Sequence, residues 1–251
     1  MVMHDGNLML STVEQHYDRH LAPVYQWMAG GWEMALARGE SDLSGVLPAD
    51  LSGRTAVDLG AGIGMHSVPL AGRGCRVLAV DTSAQLLRTL RLHGKGLPIR
   101  TVQADMRSLQ SLVKAPADII LCMGDTITHL PDLPSIEALL RQIAALLARE
   151  GVFVTTFRDY TVEPSGSKRF IPVGSDANRI LTCFLEYTQE RVNVHDLLHE
   201  RDGEAWKLSV SGYEKVRVSP AWVREVLSAC GLCTVMEAGG GGMARVVARR
   251  A

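Results

Sequence analysis

The sequence predicts an α/β fold built on a doubly wound, mostly parallel sheet, and three observations carry that prediction. From Thr55 to Phe157 short apolar runs alternate with apolar stripes of 3.6-residue period, as expected for successive strand–helix–strand units. The first run closes on Val57-Asp58-Leu59-Gly60-Ala61-Gly62-Ile63-Gly64, where an acid and three alternating glycines mark a tight strand-to-helix turn that can approach a ligand closely. With 251 residues, 47% of them hydrophobic, the chain can bury one full core and requires no second domain.

Taken in order, Thr55 to Leu59 is the first strand, and a helix is expected from about Gly64 to Gly72. Cys75 to Asp81 makes a second strand ending on an acid. Thr82 to Gln85 has capping-box spacing, and Leu86, Leu87 and Leu90 stripe the helix behind it. Ile99 to Gln103 and Asp118 to Met123 are the third and fourth strands, ending at Ala104-Asp105-Met106 and at the turn Gly124-Asp125. Ile136, Leu139, Leu140, Ile143, Leu146 and Leu147 fall on one helical face, and Gly151 to Phe157 is the fifth strand.

After Phe157 the alternation stops. Ile180 to Tyr187, Arg191 to Leu198 and Trp206 to Val218 read as three antiparallel strands, a small sheet inserted at about residues 160–218 over the mouth of the main one. Ser219-Pro220 starts a helix in cap-then-proline order, and Cys233 to Glu237 with Met243 to Arg249 suggests a closing hairpin. Gly239 to Gly242 reads as a connection rather than a phosphate loop, since no helix follows it. Residues 1–51 differ in texture, carrying Tyr17, Tyr25, Trp27 and Trp32 among polar residues. They form either helices packed on the sheet edge or a lid closing over a ligand, with residues 52–251 as the main domain.

A net charge of −1 argues against a broad nucleic-acid footprint. No apolar stretch approaches the ~18 residues of a membrane span, and Met1-Val2-Met3-His4-Asp5 lacks a leader's basic start, so a cytoplasmic location is expected. The five cysteines are odd in number and lie in apolar segments. Only Cys230 and Cys233 have metal or redox spacing, and one such pair is half of a tetrahedral site, so no metal is expected. His195 and His199, four apart on a strand, are too well separated to chelate one.

A dinucleotide fingerprint, G-x-G-x-x-G, requires glycine at position 65, where this chain has Met65. Asp58, two residues before Gly60, would repel a pyrophosphate and attract a cationic group. S-adenosylmethionine has an ammonium, a sulfonium and no phosphate.

With those residues, Asp81, Ala104-Asp105-Met106 and Cys122-Met123-Gly124-Asp125, the sequence resembles the class I S-adenosylmethionine-dependent methyltransferases from about Tyr17 to its C-terminus. The resemblance implies a Rossmann-like, seven-stranded sheet whose last strand is antiparallel. The cofactor would lie across the C-terminal ends of the first four strands. The glycine loop (Asp58, Gly60, Ala61, Gly62, Gly64, with His66 supporting the turn) would face the methionine portion, Asp81 with Thr82 the ribose, Asp105 and Met106 the adenine, and Cys122, Met123 and Gly124 would complete the cleft. Physical chemistry agrees: a carboxylate is a bidentate acceptor for a diol, and methionine offers a polarizable surface to a purine. Met123-Gly124-Asp125-Thr126-Ile127-Thr128-His129-Leu130-Pro131-Asp132 is similar to the G-N-S-x-x-H-L-P-D motif of the glycine and sarcosine N-methyltransferase group, with Asp125 in place of asparagine. Arg158-Asp159-Tyr160 is similar to that group's R-N-Y, whose arginine takes the substrate carboxylate, and Tyr17, Tyr25 and Gln26 fit its cofactor-covering arm.

The implied reaction is methyl transfer to a nitrogen or oxygen of a small molecule, which depends mainly on aligning a lone pair with the methyl carbon. His129 and Asp125 are the candidates for orienting or deprotonating the acceptor. Arg158 is placed to bind an anionic group, and Trp27, Tyr160, Tyr187 and Tyr213 to line the pocket. The expected partner is a small-molecule acceptor, without nucleic acid or membrane, and self-association into a homo-oligomer stays open. The competing readings are a nucleic-acid methyltransferase, which would want a motif such as N-P-P-Y after the fourth strand, a nicotinamide oxidoreductase, and a cofactor-binding regulator without turnover.

Overall fold

The computed structural model describes residues 10–251; the leader reading on Met1 to Asp5 lies outside them. Ahead of the main sheet come α1 (Val13–His16), a π-helical turn (Tyr17–Leu21), α2 (Tyr25–Met28) and α3 (Trp32–Leu43). The alternating region then runs β1 (Thr55–Leu59), α4 (Ser67–Gly72), β2 (Arg76–Asp81), α5 (Ala84–His93), β3 (Ile99–Gln103), α6 (Leu109–Leu112), β4 (Ala117–Cys122), α7 (Leu133–Leu146) and β5 (Leu147–Phe157). Four antiparallel strands follow: β6 (Phe170–Ser175), β7 (Arg179–Tyr187), β8 (Arg191–Asp202) and β9 (Ala205–Val216). The chain ends with α8 (Pro220–Ala229), β10 (Cys233–Ala238) and β11 (Ala244–Arg249).

The main sheet has seven strands in the order β10-β11-β5-β4-β1-β2-β3, with β1 to β5 parallel and β11 antiparallel to both neighbours. Its central strands β1 and β4 are largely buried because both faces are covered, whereas the edge strand β10 is mostly exposed. Period-two alternation sends Val57, Leu59, Ile120, Cys122 and Phe153 toward α7 and α8, and Ala56, Ile119, Leu121, Val152 and Val154 toward α3 and α4. Helix α7 shows how local chemistry and burial agree. The Asp132 carboxylate caps it by accepting from the Ser135 amide at 2.7 Å, and Ile136, Leu139, Leu140 and Ile143 are fully buried, each contributing about 1.5–3 kcal/mol.

Several details differ from the sequence expectation, among them Leu147, which opens β5 instead of closing the face of α7. Helix α4 begins at Ser67, not near Gly64, because Gly60, Gly62 and Gly64 all take positive φ and hold the turn out of helical geometry. The cap of α5 is Ser83, whose hydroxyl accepts from the Leu86 amide, rather than Thr82. The inserted sheet, order β6-β7-β8-β9, has a fourth strand; Pro172, Gly174 and a register shift against β7 make β6 a poorly patterned edge strand. In the same sheet β8 runs longer than expected, to Asp202, while β9 starts one residue earlier, at Ala205, and ends two earlier, at Val216.

That sheet packs its inner face over the C-terminal end of the main one. Cross-strand rows Cys183/Asp196/Ser211, Leu185/Val194/Tyr213 and Tyr187/Val192/Lys215 set which side chains share a level. Among the described residues no helix is long and apolar enough to cross a membrane.

Candidate functional site

The β1–α4 turn builds the first wall. Gly60 adopts φ +72°, and a Cβ there would overlap the Thr126 side chain, so only glycine lets the turn lie against the segment after β4. Gly62, at φ +54°, is roofed by the Tyr25 ring: a Cβ at that position would lie 3.8 Å from the Tyr25 hydroxyl. The Gly62 amide donates to Asp81 Oδ2 at 2.8 Å and the Ser83 amide to Asp81 Oδ1 at 2.8 Å. Desolvation nevertheless pushes Asp81 above the usual carboxylate range, and no cation pairs with it among the described residues. Its second lone pairs suit a vicinal diol, and the glycine turn leaves room for backbone contact beside it, so the residues present fit the nucleoside portion of S-adenosylmethionine.

The segment after β4 is the second wall. Asp125 is a non-glycine residue at φ +74°, a conformation that costs roughly 1–3 kcal/mol and persists only where its surroundings impose it. They do: its amide donates to Thr156 O at 2.8 Å, Oδ1 accepts from the Arg158 amide at 3.0 Å, and Oδ2 accepts from the Tyr160 hydroxyl at 2.6 Å and from Lys215 Nζ. Burial would raise the Asp125 carboxyl. The Lys215 charge and the hydrogen bonds of Lys215, Tyr160 and the Arg158 amide outweigh it and hold the group below the usual range. Tyr160, raised well above the ordinary phenol value by burial and by Asp125, remains a donor.

His129 stands one turn further on. Its Nε2 lies 3.2 Å from the Tyr17 hydroxyl, its ring meets Tyr17 edge-on at 5.4 Å and stacks on Tyr213 at 5.5 Å. Burial first, and Lys215 second, pull its pKa down to about 3, so the imidazole is neutral at physiological pH. In either tautomer Nδ1, buried and without a partner among the described residues, keeps an unmet hydrogen-bonding capacity. Tyr17 is itself held as a neutral phenol by burial and then by Tyr25, Asp196, Asp125 and Asp81, and burial raises Tyr25 to about 12.

Tyr17, Tyr25, Asp81, the glycine turn, Asp125, His129, Tyr160 and Tyr213 thus converge. Arg158 sits at the rim, its guanidinium without a hydrogen-bond partner among the described residues and beside Gly242. Other candidates are engaged elsewhere. Asp58 is buried and accepts from Ser67 Oγ at 2.6 Å, bracing the start of α4 beneath the turn. His66 Nε2 lies 3.1 Å from Asp42 Oδ2, tying α3 to that turn. Burial pushes Asp105 up, but Arg107, through its amide and guanidinium, outweighs this and holds it below the carboxylate range. Met106 packs partly into the core, and Cys122 and Met123 are buried. The Thr82 carbonyl accepts from Gln103. Trp27 donates to Asp176 at 2.5 Å, at the β6–β7 end of the inserted sheet, away from His129, and Tyr187 lies under Arg217. Cys230 and Cys233 end α8 and begin β10.

Sequence reasoning missed Lys215, His16 and Asp196. The one signal for Lys215 was its position two residues after Tyr213 on a strand, which places both on one face. His16 Nε2 lies 2.8 Å from Asp196 Oδ2, and both residues are almost fully enclosed; nothing local marks either.

A parallel sheet with one antiparallel strand, a glycine turn after β1 and a carboxylate closing β2 define a class I methyltransferase fold. Residues 56–151 match a methyltransferase domain family. A glycine/sarcosine/dimethylglycine N-methyltransferase of Actinopolyspora halophila is 34% identical over 109 residues, 42% of this chain and 19% of that protein. A ubiquinone biosynthesis O-methyltransferase of Caulobacter sp. (strain K31) is 33% identical over 133 residues, covering 52% of this chain and 50% of its own. The CcbJ methyltransferase of Streptomyces caelestis shares the fold, with TM-score 0.76 and 20% identity over 95% of this chain and 99% of that one. The chain spans half or less of the length of the curated relatives it matches. Residues 56–151 are thus similar to a methyltransferase domain, and the chain shares the fold of S-adenosylmethionine-dependent methyltransferases.

Proposed function

We propose that the protein transfers a methyl group from S-adenosylmethionine to a small molecule, and that the acceptor atom is an amine nitrogen. When bound, the cofactor supplies a methyl carbon activated by a positive sulfur. The glycine turn and Asp81 would hold its nucleoside and Tyr25 would cover it. His129, neutral beside Tyr17, would hydrogen-bond the acceptor through Nδ1 and aim its lone pair at that carbon. A neutral imidazole adds no charge to oppose the sulfonium. Arg158 would take an anionic group on the acceptor, and Asp125, neutralised by Lys215, fixes the Arg158 backbone.

The observation that carries the choice of nitrogen is the low basicity of the two groups nearest the expected methyl position. A hydroxyl needs a base as its oxygen is alkylated, and neither Asp125, held anionic by Lys215, nor His129, with its pKa near 3, is suited to that task. A neutral amine brings its own lone pair and loses its proton to water once the N–C bond forms and the S–C bond breaks. The relatives named above include both N- and O-methyltransferases, so the test must span both chemistries. Calorimetry with S-adenosylhomocysteine and NAD should show binding of the first alone. Turnover of a panel of primary and secondary amines, amino acids and matching alcohols, scored by the mass gain of one CH₂, should return amines. Methylation of alcohols alone would refute the nitrogen assignment, and binding without turnover of any panel member would favour a sensor.

A further inference from the structure

The N-terminal segment is stitched to both halves of the site within eight residues. The Ser11 amide and hydroxyl both donate to Gly212 O on β9, at 3.0 and 3.1 Å. His16 reaches β8, where its Nε2 meets the Asp196 carboxylate, and its ring lies 4.2 Å from that of Tyr213. Cys183 donates to the other Asp196 oxygen at 2.7 Å, so that carboxylate is fixed from β7 as well as from α1. The next residue, Tyr17, meets His129, and the one after, Asp18, accepts from Ser83 Oγ at 2.6 Å. Ser83 is the residue whose amide holds Asp81 Oδ1. The backbone between His16 and Leu21 is a π-helical turn, closed by the Ala22 amide donating to Tyr17 O at 2.7 Å. That wider turn is a costly conformation often kept for a site.

We propose that His16, oriented by Asp196, is a positioning residue: this pair is the joint through which the inserted sheet holds Tyr17 and Asp18 against His129 and Ser83, and so builds the cofactor pocket from the acceptor side. Asp196 and Asp81 belong to different sheets, yet the chain Asp196–His16–Tyr17–Asp18–Ser83–Asp81 is continuous in contacts or covalent bonds. Cutting it at Asp196 releases the segment that carries Asp18, and Ser83 loses the partner outside its own helix. Tyr25, further along the same segment, loses its fixed place over Gly62. The proposal rests on the cofactor site assigned above, and its test separates the two.

S-adenosylhomocysteine affinity of the full chain is the readout, beside the unfolding midpoint and the rate of limited proteolysis within residues 10–31. His16→Ala and Asp196→Ala should each weaken S-adenosylhomocysteine binding about tenfold or more, the scale of one hydrogen bond to a charged group. Combined, they should weaken it no more than the worse single change, because they remove one shared contact. His16→Gln, whose amide can still donate to Asp196, should recover most of the loss, and proteolysis should quicken in the alanine variants alone. Should Asp196→Ala not fold, Asp196→Asn, which retains an acceptor for His16, should bind within a fewfold of the unaltered protein. Affinity within about twofold in His16→Ala, or additive losses in the double variant, would overturn the proposal. Failure of the unaltered protein to bind S-adenosylhomocysteine would instead overturn the cofactor site itself.

Discussion

Replacing Lys215 by methionine isolates the most heavily loaded contact of the site. Lys215 and Asp125 are paired with side-chain exposures of 7% and 10%, and Lys215 Nζ also stands 3.3 Å from the Tyr160 hydroxyl. Methionine keeps most of the aliphatic stem, so the packing loss is small, while the carboxylate keeps its neutral donors, the Tyr160 hydroxyl and the Arg158 amide. Stripping one partner from a buried pair typically costs about 3–5 kcal/mol. With two donors left, the expected loss is at the lower end, about 3 kcal/mol at pH 7, or an unfolding midpoint lowered by about 6–12 °C for a chain of this size. The sign of the pH dependence follows from linkage. In the unaltered protein the Asp125 carboxyl lies below its unfolded value, so the stability it adds is present above that unfolded value, near 3.9, and is lost as pH falls through the folded one. In Lys215→Met the unpaired carboxyl rises instead, so protonation relieves it and the gap between the two proteins should narrow as pH drops from 7 toward 4. Urea denaturation at several pH values measures both effects. The double variant Lys215→Met with Asp125→Asn should be more stable than Lys215→Met alone. A loss below about 1 kcal/mol at pH 7, or strictly additive changes, would refute the reading of Asp125 and Lys215 as a buried ion pair.

Other consequences can be tested together. Asp81→Ala should weaken S-adenosylhomocysteine binding by roughly 1–3 kcal/mol through lost charge-assisted hydrogen bonds, and unchanged calorimetric affinity would remove Asp81 from the cofactor site. His129→Ala should lower kcat more than it lowers cofactor affinity, and equal turnover would leave His129 as packing alone. Because His129 titrates near 3, the kcat profile of the unaltered enzyme should show no inflection near 6.5 attributable to it; one that His129→Ala removes would contradict the neutral-imidazole account. Gly60→Ala adds a side chain at positive φ against Thr126, and should destabilise the fold by at least about 1–2 kcal/mol in thermal unfolding.

How much of this was legible beforehand depends on the range over which each feature is encoded. The acceptor-side arrangement shows the boundary. Asp125, His129, Tyr160 and Tyr213 were nominated one by one from short motifs, and the fold does bring them together. Their roles changed on contact with the rest: Asp125, eligible as a base from its motif, is tied up by a lysine 90 positions away. Trp27, eligible as pocket lining from its aromatic neighbourhood, instead meets Asp176.

The order of the main-sheet strands, the glycine turn and the carboxylate closing β2 were determined by the sequence alone, because periodicity and positive φ are properties of a few neighbouring residues. The protonation of His129, the charge state of Asp125 and the joint between His16 and Asp196, 180 residues apart, were decided only by the tertiary structure. Desolvation and pairing depend on which distant groups packing brings within a few ångströms, and no local window contains that information.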